Sequence, residues 1–199
     1  LKGGIPAWGN YYDIREVVNE KFGKIIQVAR PARGDLSFVI ISQGKAAIVD
    51  PLRHINHYTQ VLKDNNVILT HIFDTHAHAD HISGGPALAN ENNAEYYLHP
   101  YDGIHPLDML PAKIDYNPLS DGQTFSMGQF TVTTIWFPGH TLGQVNFLFT
   151  APTNQKYLFT GHGIFLRSFG RPDLGGKGEA WTPILYQSLF ERLPKHIDD

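Results

Sequence analysis

The chain has 199 residues and no cysteine, so its length suggests one domain, or one domain with an appendage, and disulfides, thiolate ligands and a cysteine nucleophile are excluded within it. Hydrophobic residues make up 42% and charged residues 18%, a balance that disfavours disorder, and a net charge of −3 without any Lys/Arg block leaves no electrostatic footprint for nucleic acid or an anionic membrane. No apolar stretch approaches the roughly 18 residues a spanning helix needs, and the start lacks a basic segment followed by an apolar one, so the expectation is a cytoplasmic protein whose partner is a small molecule or another protein. The eleven histidines are then the feature to explain.

In chain order, short β-rich runs at 25–28, 37–41 and 46–49, broken by Gly34 and Gly44, predict a meander of adjacent strands. Residues 54–66 place Ile55, Tyr58, Val61 and Leu62 on one helical face, and 67–73 is the next strand, running directly into a polar loop. A short helix at 86–92 and a strand at 94–98 follow, then a Pro-rich loop through Pro118. Residues 124–125 and 130–137 predict a hairpin, 145–149 and 157–159 two further strands, and 180–193 the last helix. Strands and helices mixed in this way predict sheets with helices outside. The aromatic residues Phe125, Phe130, Trp136, Phe137, Phe147, Phe149 and Phe159 recur along the strands, which makes them core. Leu193-Pro194-Lys195-His196 reads as the end of a helix and Asp198-Asp199 as a turn leading toward another strand, so the chain is expected to be a fragment truncated at its C-terminus.

The densest chemistry is Thr75-His76-Ala77-His78-Ala79-Asp80-His81, directly after the 67–73 strand. His76 and His78 are two apart, which in an extended loop turns both imidazoles to one side, and Asp80 and His81 reach a neighbouring point. One metal, or two close together, is the natural occupant, because three imidazoles converging without a cation repel one another when charged. Two later histidines also follow strand ends beside a glycine: His140 in Pro138-Gly139-His140-Thr141, and His162 in Thr160-Gly161-His162-Gly163. Loops at strand ends are where a rigid sheet aims functional side chains.

These runs, together with the strand end Ile48-Val49-Asp50-Pro51, resemble the metallo-β-lactamase superfamily, over residues 25–193. The segment Phe165 to Leu174, with its Gly170-Arg171-Pro172-Asp173 core, resembles the persulfide dioxygenase branch. The resemblance implies an αβ/βα four-layer sandwich and a mononuclear iron(II) that oxidises a glutathione-type persulfide with dioxygen, zinc being the alternative metal. It makes His76, His140 and position 162 the iron ligands and places Arg171 near the thiol substrate. Position 162 departs from the pattern, which has an aspartate there. A neutral imidazole with one donor nitrogen cannot bridge two ions as a carboxylate can, so a two-zinc hydrolase is disfavoured, while an iron centre becomes one unit more positive and favours the ferrous state. Asp80 could supply a compensating carboxylate. A further histidine that relatives bring from a strand after the last helix lies beyond this chain's end, which leaves Asp80 and His81 as a weak second site.

Arg171 has two readings: its planar fork binds an anionic group of the substrate, or it pairs with Asp173 to brace the Gly-rich loop 170–178. Asp50 either orients a ligand histidine or begins the turn before Pro51. His54, His57, His71, His99 and His105 have no partner pattern and read as structural or surface. Leu1-Lys2-Gly3-Gly4-Ile5-Pro6-Ala7-Trp8 resembles the end of a rhodanese (sulfurtransferase) domain, which divides the chain into 1–10, the tail of such a domain, and 11–199, the metallo-β-lactamase-like domain. Two alternatives stand beside the dioxygenase: a thioester hydrolase of the glyoxalase II type, and a metal-binding, non-catalytic partner domain of a sulfurtransferase.

Overall fold

The computed structural model describes residues 2–103 and 114–197. A short helix, α1 (Gly4–Gly9), precedes a meander of four antiparallel strands: β1 (Asp13–Glu20), β2 (Gly23–Arg30), β3 (Asp35–Ser42) and β4 (Lys45–Val49). Helix α2 (Asn56–Asp64) then crosses over to β5 (Ile68–Phe73), which lies parallel to β4, and α3 (Gly85–Asn92) leads to β6 (Glu95–Leu98), parallel to β5. A two-residue strand, β7 (Asn117–Pro118), completes a seven-stranded sheet in sequential order. A second, antiparallel sheet is ordered β11-β10-β9-β8, from β8 (Thr124–Met127), β9 (Phe130–Trp136), β10 (Val145–Thr150) and β11 (Lys156–Phe159). The chain continues through a small hairpin, β12 (Ile164–Phe165) and β13 (Ser168–Phe169), to α4 (Gly178–Gln187) and the terminal turn α5 (Pro194–Ile197).

The layering follows from side chains that alternate across the pleat. Ile26, Ile41, Ala46 and Ile48 face Tyr58, Val61 and Leu62 of α2 and Leu88 of α3. Their neighbours Ile25, Ile40, Ala47 and Val49 face the other way, against Phe130, Val132, Phe147, Phe149 and Phe159 of the second sheet. That sheet's outer face, Ile135, Phe137 and Leu148, is covered by Leu185 and Leu193. Helix, sheet, sheet, helix is thus the four-layer αβ/βα sandwich, and the strands buried on both faces are the continuous apolar runs.

Three elements differ from the sequence expectation. β1 is an edge strand whose residues are mostly exposed, so it carries no strong apolar alternation to announce it. The helix expected at 180–193 forms from Gly178 but carries a wide turn at Ser188–Arg192, where the Leu193 amide donates to the Ser188 carbonyl at 3.0 Å and the Ser188 hydroxyl donates to the Pro138 carbonyl at 2.7 Å. The Ser188 bond ties this turn to the loop two residues before His140. Part of the Pro-rich loop resolves into β7, which pairs with β6. His54 and His57 pack on Tyr12, His71 stacks on Phe73 and His99 on Trp136, while His105 lies outside the described residues. Among the described residues no helix is long and apolar enough to cross a membrane.

Candidate metal centre

Three strand ends converge at one edge of the sandwich. The loop after β5 carries Asp74, Thr75 and His76, all buried, and is tied to the second sheet where the Val145 amide donates to the Thr75 carbonyl at 2.8 Å. The loop after β9 carries His140. Its Gly139, at φ 141°, lies so close to α4 that a Cβ there would meet Leu185 at 2.4 Å. The loop after β11 carries His162, and Gly161, at φ 48°, packs against Thr75 with room for no side chain: a Cβ would lie 2.1 Å from Thr75 Oγ1. The glycines before His140 and His162 are therefore what let those two loops reach the buried His76 loop.

His76, His140 and His162 each present one ring nitrogen within 4.8 Å of the other two. Nε2 of His76 and Nδ1 of His162 are 3.0 Å apart. The remaining nitrogens of two of the rings are held from behind. Thr75 donates its hydroxyl to Asp50 (2.9 Å to Oδ2), which leaves Oγ1 to accept from His76 Nδ1 at 2.9 Å, and His140 Nδ1 donates to the Arg171 carbonyl at 3.0 Å. Each arrangement leaves Nε2 of its ring as a lone pair facing the cluster. Burial, reinforced by the neighbouring histidines, holds His76 well below the ordinary histidine range. Burial also lowers His140 and His162.

This donor set fits a metal ion. Two nitrogens at about 2.0–2.1 Å from one ion stand about 2.9 Å apart at octahedral angles and about 3.3 Å apart at tetrahedral ones, and the His76–His162 spacing of 3.0 Å falls between. Without a cation only His162 has an N–H free to turn toward the group, and the inward lone pairs of His76 and His140 would compete for it in a buried site.

The other residues of the histidine-rich loop lie beside this group. His78 is turned onto Asp50, with Nε2 3.1 Å from Oδ1 and both side chains buried. Burial opposes its charge, but the Asp50 carboxylate prevails and pushes His78 up to about 9. Asp80 is more exposed and divides its oxygens, Oδ1 lying 3.0 Å from His81 Nδ1 and Oδ2 3.5 Å from His162 Nε2. Asp50 also accepts from the Thr75 amide at 2.7 Å, so it acts on both His76, through Thr75, and His78 directly. Behind them Asp74 accepts from the Tyr96 hydroxyl at 2.7 Å, and burial raises it to about 6.

Arg171 and Asp173 form an exposed two-pronged pair at 2.6 and 2.8 Å. The bracing contact is therefore present. Arg171 also borders an open cleft of about 480 Å³ with His140, His162, Phe165 and Phe169; Asp173 does not line it. Sequence reasoning missed Thr75, the Arg171 carbonyl and Asp102. Buried Asp102 accepts from the Ala77 amide (2.8 Å), the Thr141 hydroxyl (2.7 Å) and the Gly143 amide (2.8 Å), fastening the two histidine loops together. It sits in a loop after β6 with no motif around it, so no sequence signal pointed to it. Thr75 could have been found, since a hydroxyl directly before a ligand-type histidine is a ready partner for its second nitrogen.

A fold of this topology with histidines on these strand ends defines a metal-binding αβ/βα class. The family model described as the metallo-beta-lactamase superfamily matches residues 31–193, and the chain belongs to that superfamily. It is 34% identical over 143 residues to the lactamase-like protein nscB of Aspergillus fumigatus, covering 70% of this chain and 40% of that protein. It is 31% identical over 150 residues to the mitochondrial persulfide dioxygenase ETHE1 of Mus musculus, covering 75% of this chain and 54% of that one. Hydroxyacylglutathione hydrolase of Pelagibacter ubique is 29% identical, over 80% of this chain and 64% of that protein. The chain thus spans less than two thirds of each of these relatives. Among solved structures, the metallo-beta-lactamase from Staphylococcus aureus subsp. aureus COL superposes with a TM-score of 0.68 at 26% identity, over 90% of this chain and 51% of that one. ETHE1 from Myxococcus xanthus shares the fold, with a TM-score of 0.66 at 22% identity over 92% of this chain and 71% of that chain.

Proposed function

We propose that the protein is a metal-dependent enzyme that oxidises a glutathione-type persulfide with dioxygen, holding one iron(II) on His76, His140 and His162. The observation that carries this reading is the convergence of those three neutral imidazoles, with His76 and His140 each held from behind by an acceptor. The similarity to persulfide dioxygenase and the Gly170-Arg171-Pro172-Asp173 segment support the substrate class. Iron(II) bound there supplies redox chemistry that lets sulfur and dioxygen exchange electrons. In the net reaction the persulfide, dioxygen and one water give the thiol, sulfite and two protons, the outer sulfur losing four electrons to oxygen.

The chain's own part is to bind, orient and shield. Thr75 and the Arg171 carbonyl fix which nitrogen His76 and His140 present, and Asp102 locks their loops in register. Phe165 and Phe169, both partly exposed, line the open cleft beside His140 and His162 and offer the persulfide sulfur an apolar surface. Arg171, at its rim, is placed to exchange Asp173 for a carboxylate of an anionic thiol. The resemblance of residues 1–8 to a rhodanese tail supports a sulfurtransferase domain as the donor of persulfide sulfur. A thioester hydrolase is the second reading, supported by the likeness to hydroxyacylglutathione hydrolase and by the acid-rich group around Asp80.

Anaerobic reconstitution with iron(II) or with zinc, followed by dioxygen uptake and sulfite release with glutathione persulfide and by cleavage of a hydroxyacylglutathione thioester, tests both. Iron-dependent uptake matched by sulfite is the expected result. Thioester cleavage with zinc and no dioxygen uptake with iron would overturn the first reading in favour of the second.

A further inference from the structure

We infer that a second cleft, separated from the Arg171 cleft by the hairpin β12–β13, holds an aliphatic arm of the thiol carrier whose far end is an anionic group bound by Arg167. The sulfur chemistry is that of the persulfide reading, on which this site rests; the class of carrier is new. His162 and Phe165 line both clefts, and the two ring centroids are 5.8 Å apart, so the hairpin divides the approach to the histidine group in two.

This second cleft, about 870 Å³, has apolar walls: Leu36 and Phe38 from β3, Leu158 and Phe159 from β11, and Phe165 and Leu166 from the hairpin. Leu36 is 51% exposed and Leu166 wholly so, and an aliphatic chain lying between them would take both out of water. A tripeptide carries amide and charged groups along its whole length, for which such walls offer no partners. Small-molecule sites of this kind fix their ligand with a few polar groups at defined points. Apart from histidines, Arg167 is the only basic residue lining the cleft among the described residues. Arg171 is held by Asp173, whereas no described carboxylate lies within 4 Å of the Arg167 guanidinium.

The hairpin sets the length of the arm. Its base is closed where the Gly170 amide donates to the Gly163 carbonyl at 3.1 Å, and Phe165 pairs with Ser168, which leaves Leu166 and Arg167 as the turn. From Gly163, next to His162, to Leu166 is three residue steps, which at ~3.3 Å each is about 10 Å. A zigzag of ~1.5 Å carbon–carbon bonds advances about 1.25 Å per bond, so about eight methylenes cover that distance. Charge sets the direction. Asp35, buried at the histidine end with Oδ1 3.9 Å from His81 Nδ1, disfavours a carboxylate there, and Arg167 attracts one at the turn, so the sulfur end lies toward His162.

The test is calorimetric titration of the full chain with butanoate, hexanoate, octanoate, decanoate and dodecanoate. Affinity should rise about two- to fourfold per methylene, the upper figure being ~0.8 kcal/mol for a fully buried one, and level off beyond decanoate. Arg167→Ala should weaken every member by about two- to fivefold, the scale of an exposed charge pair, and Leu36→Ser should flatten the dependence on chain length. Both positions are exposed, so neither substitution threatens the fold. Affinity that does not change with chain length, or that is the same in both variants as in the parent, overturns the inference. The iron-loaded chain is then given the persulfides of 3-mercaptopropanoate, 9-mercaptononanoate and glutathione. The nonanoate should be used with a kcat/KM at least about tenfold above the propanoate, and equal use of the two also overturns the inference. Binding that rises with chain length but no dioxygen uptake from any persulfide would keep the cleft and overturn the dioxygenase reading, while uptake from glutathione persulfide with no such rise would do the reverse.

Discussion

Thr75→Val removes one hydroxyl while keeping the side chain's shape, in a position with no solvent exposure. The lost oxygen lies 2.9 Å from His76 Nδ1 and 2.9 Å from Asp50 Oδ2. Asp50 keeps the Thr75 amide and His78 as donors. His76 keeps nothing on that side, so its Nδ1–H is left unpaired in the interior, at a cost of about 1–3 kcal/mol. The ring relieves this by moving the proton to Nε2, the nitrogen aimed at His162, which removes a lone pair from the cluster. Losing a hydrogen-bond partner behind a metal-bound imidazole typically weakens metal affinity by about 10- to 100-fold. We therefore expect zinc competition against a chromophoric chelator to show a loss in that range for Thr75→Val, and Thr75→Ser to restore most of it. Zinc affinity within twofold of the parent for Thr75→Val, with the metal-free protein melting as before, would refute the claim that this hydroxyl sets the His76 tautomer.

Three further outcomes are expected. His162→Asp should raise iron retention and sulfite production from glutathione persulfide, since it places an anionic oxygen ligand in the cluster; equal iron content and equal dioxygen uptake in parent and variant would show that the histidine does not limit activity. Arg171→Ala should leave metal content unchanged, because His140 is held by the residue's backbone carbonyl, and should barely move the melting curve, because the pair with Asp173 is exposed. Its kcat/KM should fall by roughly tenfold to a hundredfold, with partial recovery in Arg171→Lys, and unaltered kinetics would remove Arg171 from the substrate site. For the chelator-treated protein, His78 is raised to about 9 by Asp50, so that pair stabilises fully below the ordinary histidine pKa near ~6.5 and is lost as pH rises through 9, worth roughly 3 kcal/mol. His76 is lowered, so its contribution is present above ~6.5 and lost as pH falls. Melting temperature should then decline on both sides of neutrality, and an alkaline decline of the same size in His78→Gln would assign it to another group.

The histidine-rich run between a β strand and a polar loop was legible in the sequence because metal chemistry demands particular residue types at short spacing, and no other segment of this chain crowds them so. The core strands were legible for a similar reason: Ile25 and Ile26, or Ala47 and Ile48, are apolar in succession because each faces a different buried layer. β1 was not, since an edge strand owes its place to backbone pairing with β2, which leaves no mark on its side chains. Nor was the sorting of the loop's own members. His76 and His78 share a motif and a residue type, yet one is a neutral donor and the other a cation, because Thr75 stands between Asp50 and the first and nothing stands between Asp50 and the second. Asp102 is an ordinary aspartate in the sequence, 25 residues from Ala77, and it reaches the histidine loops because β6 lies beside β5 and the loop after β9 is laid against both. Sequence specifies which groups can bind a metal; tertiary structure decides which nitrogen faces inward and which charges share a buried space, because those depend on distances of a few ångströms between segments remote along the chain.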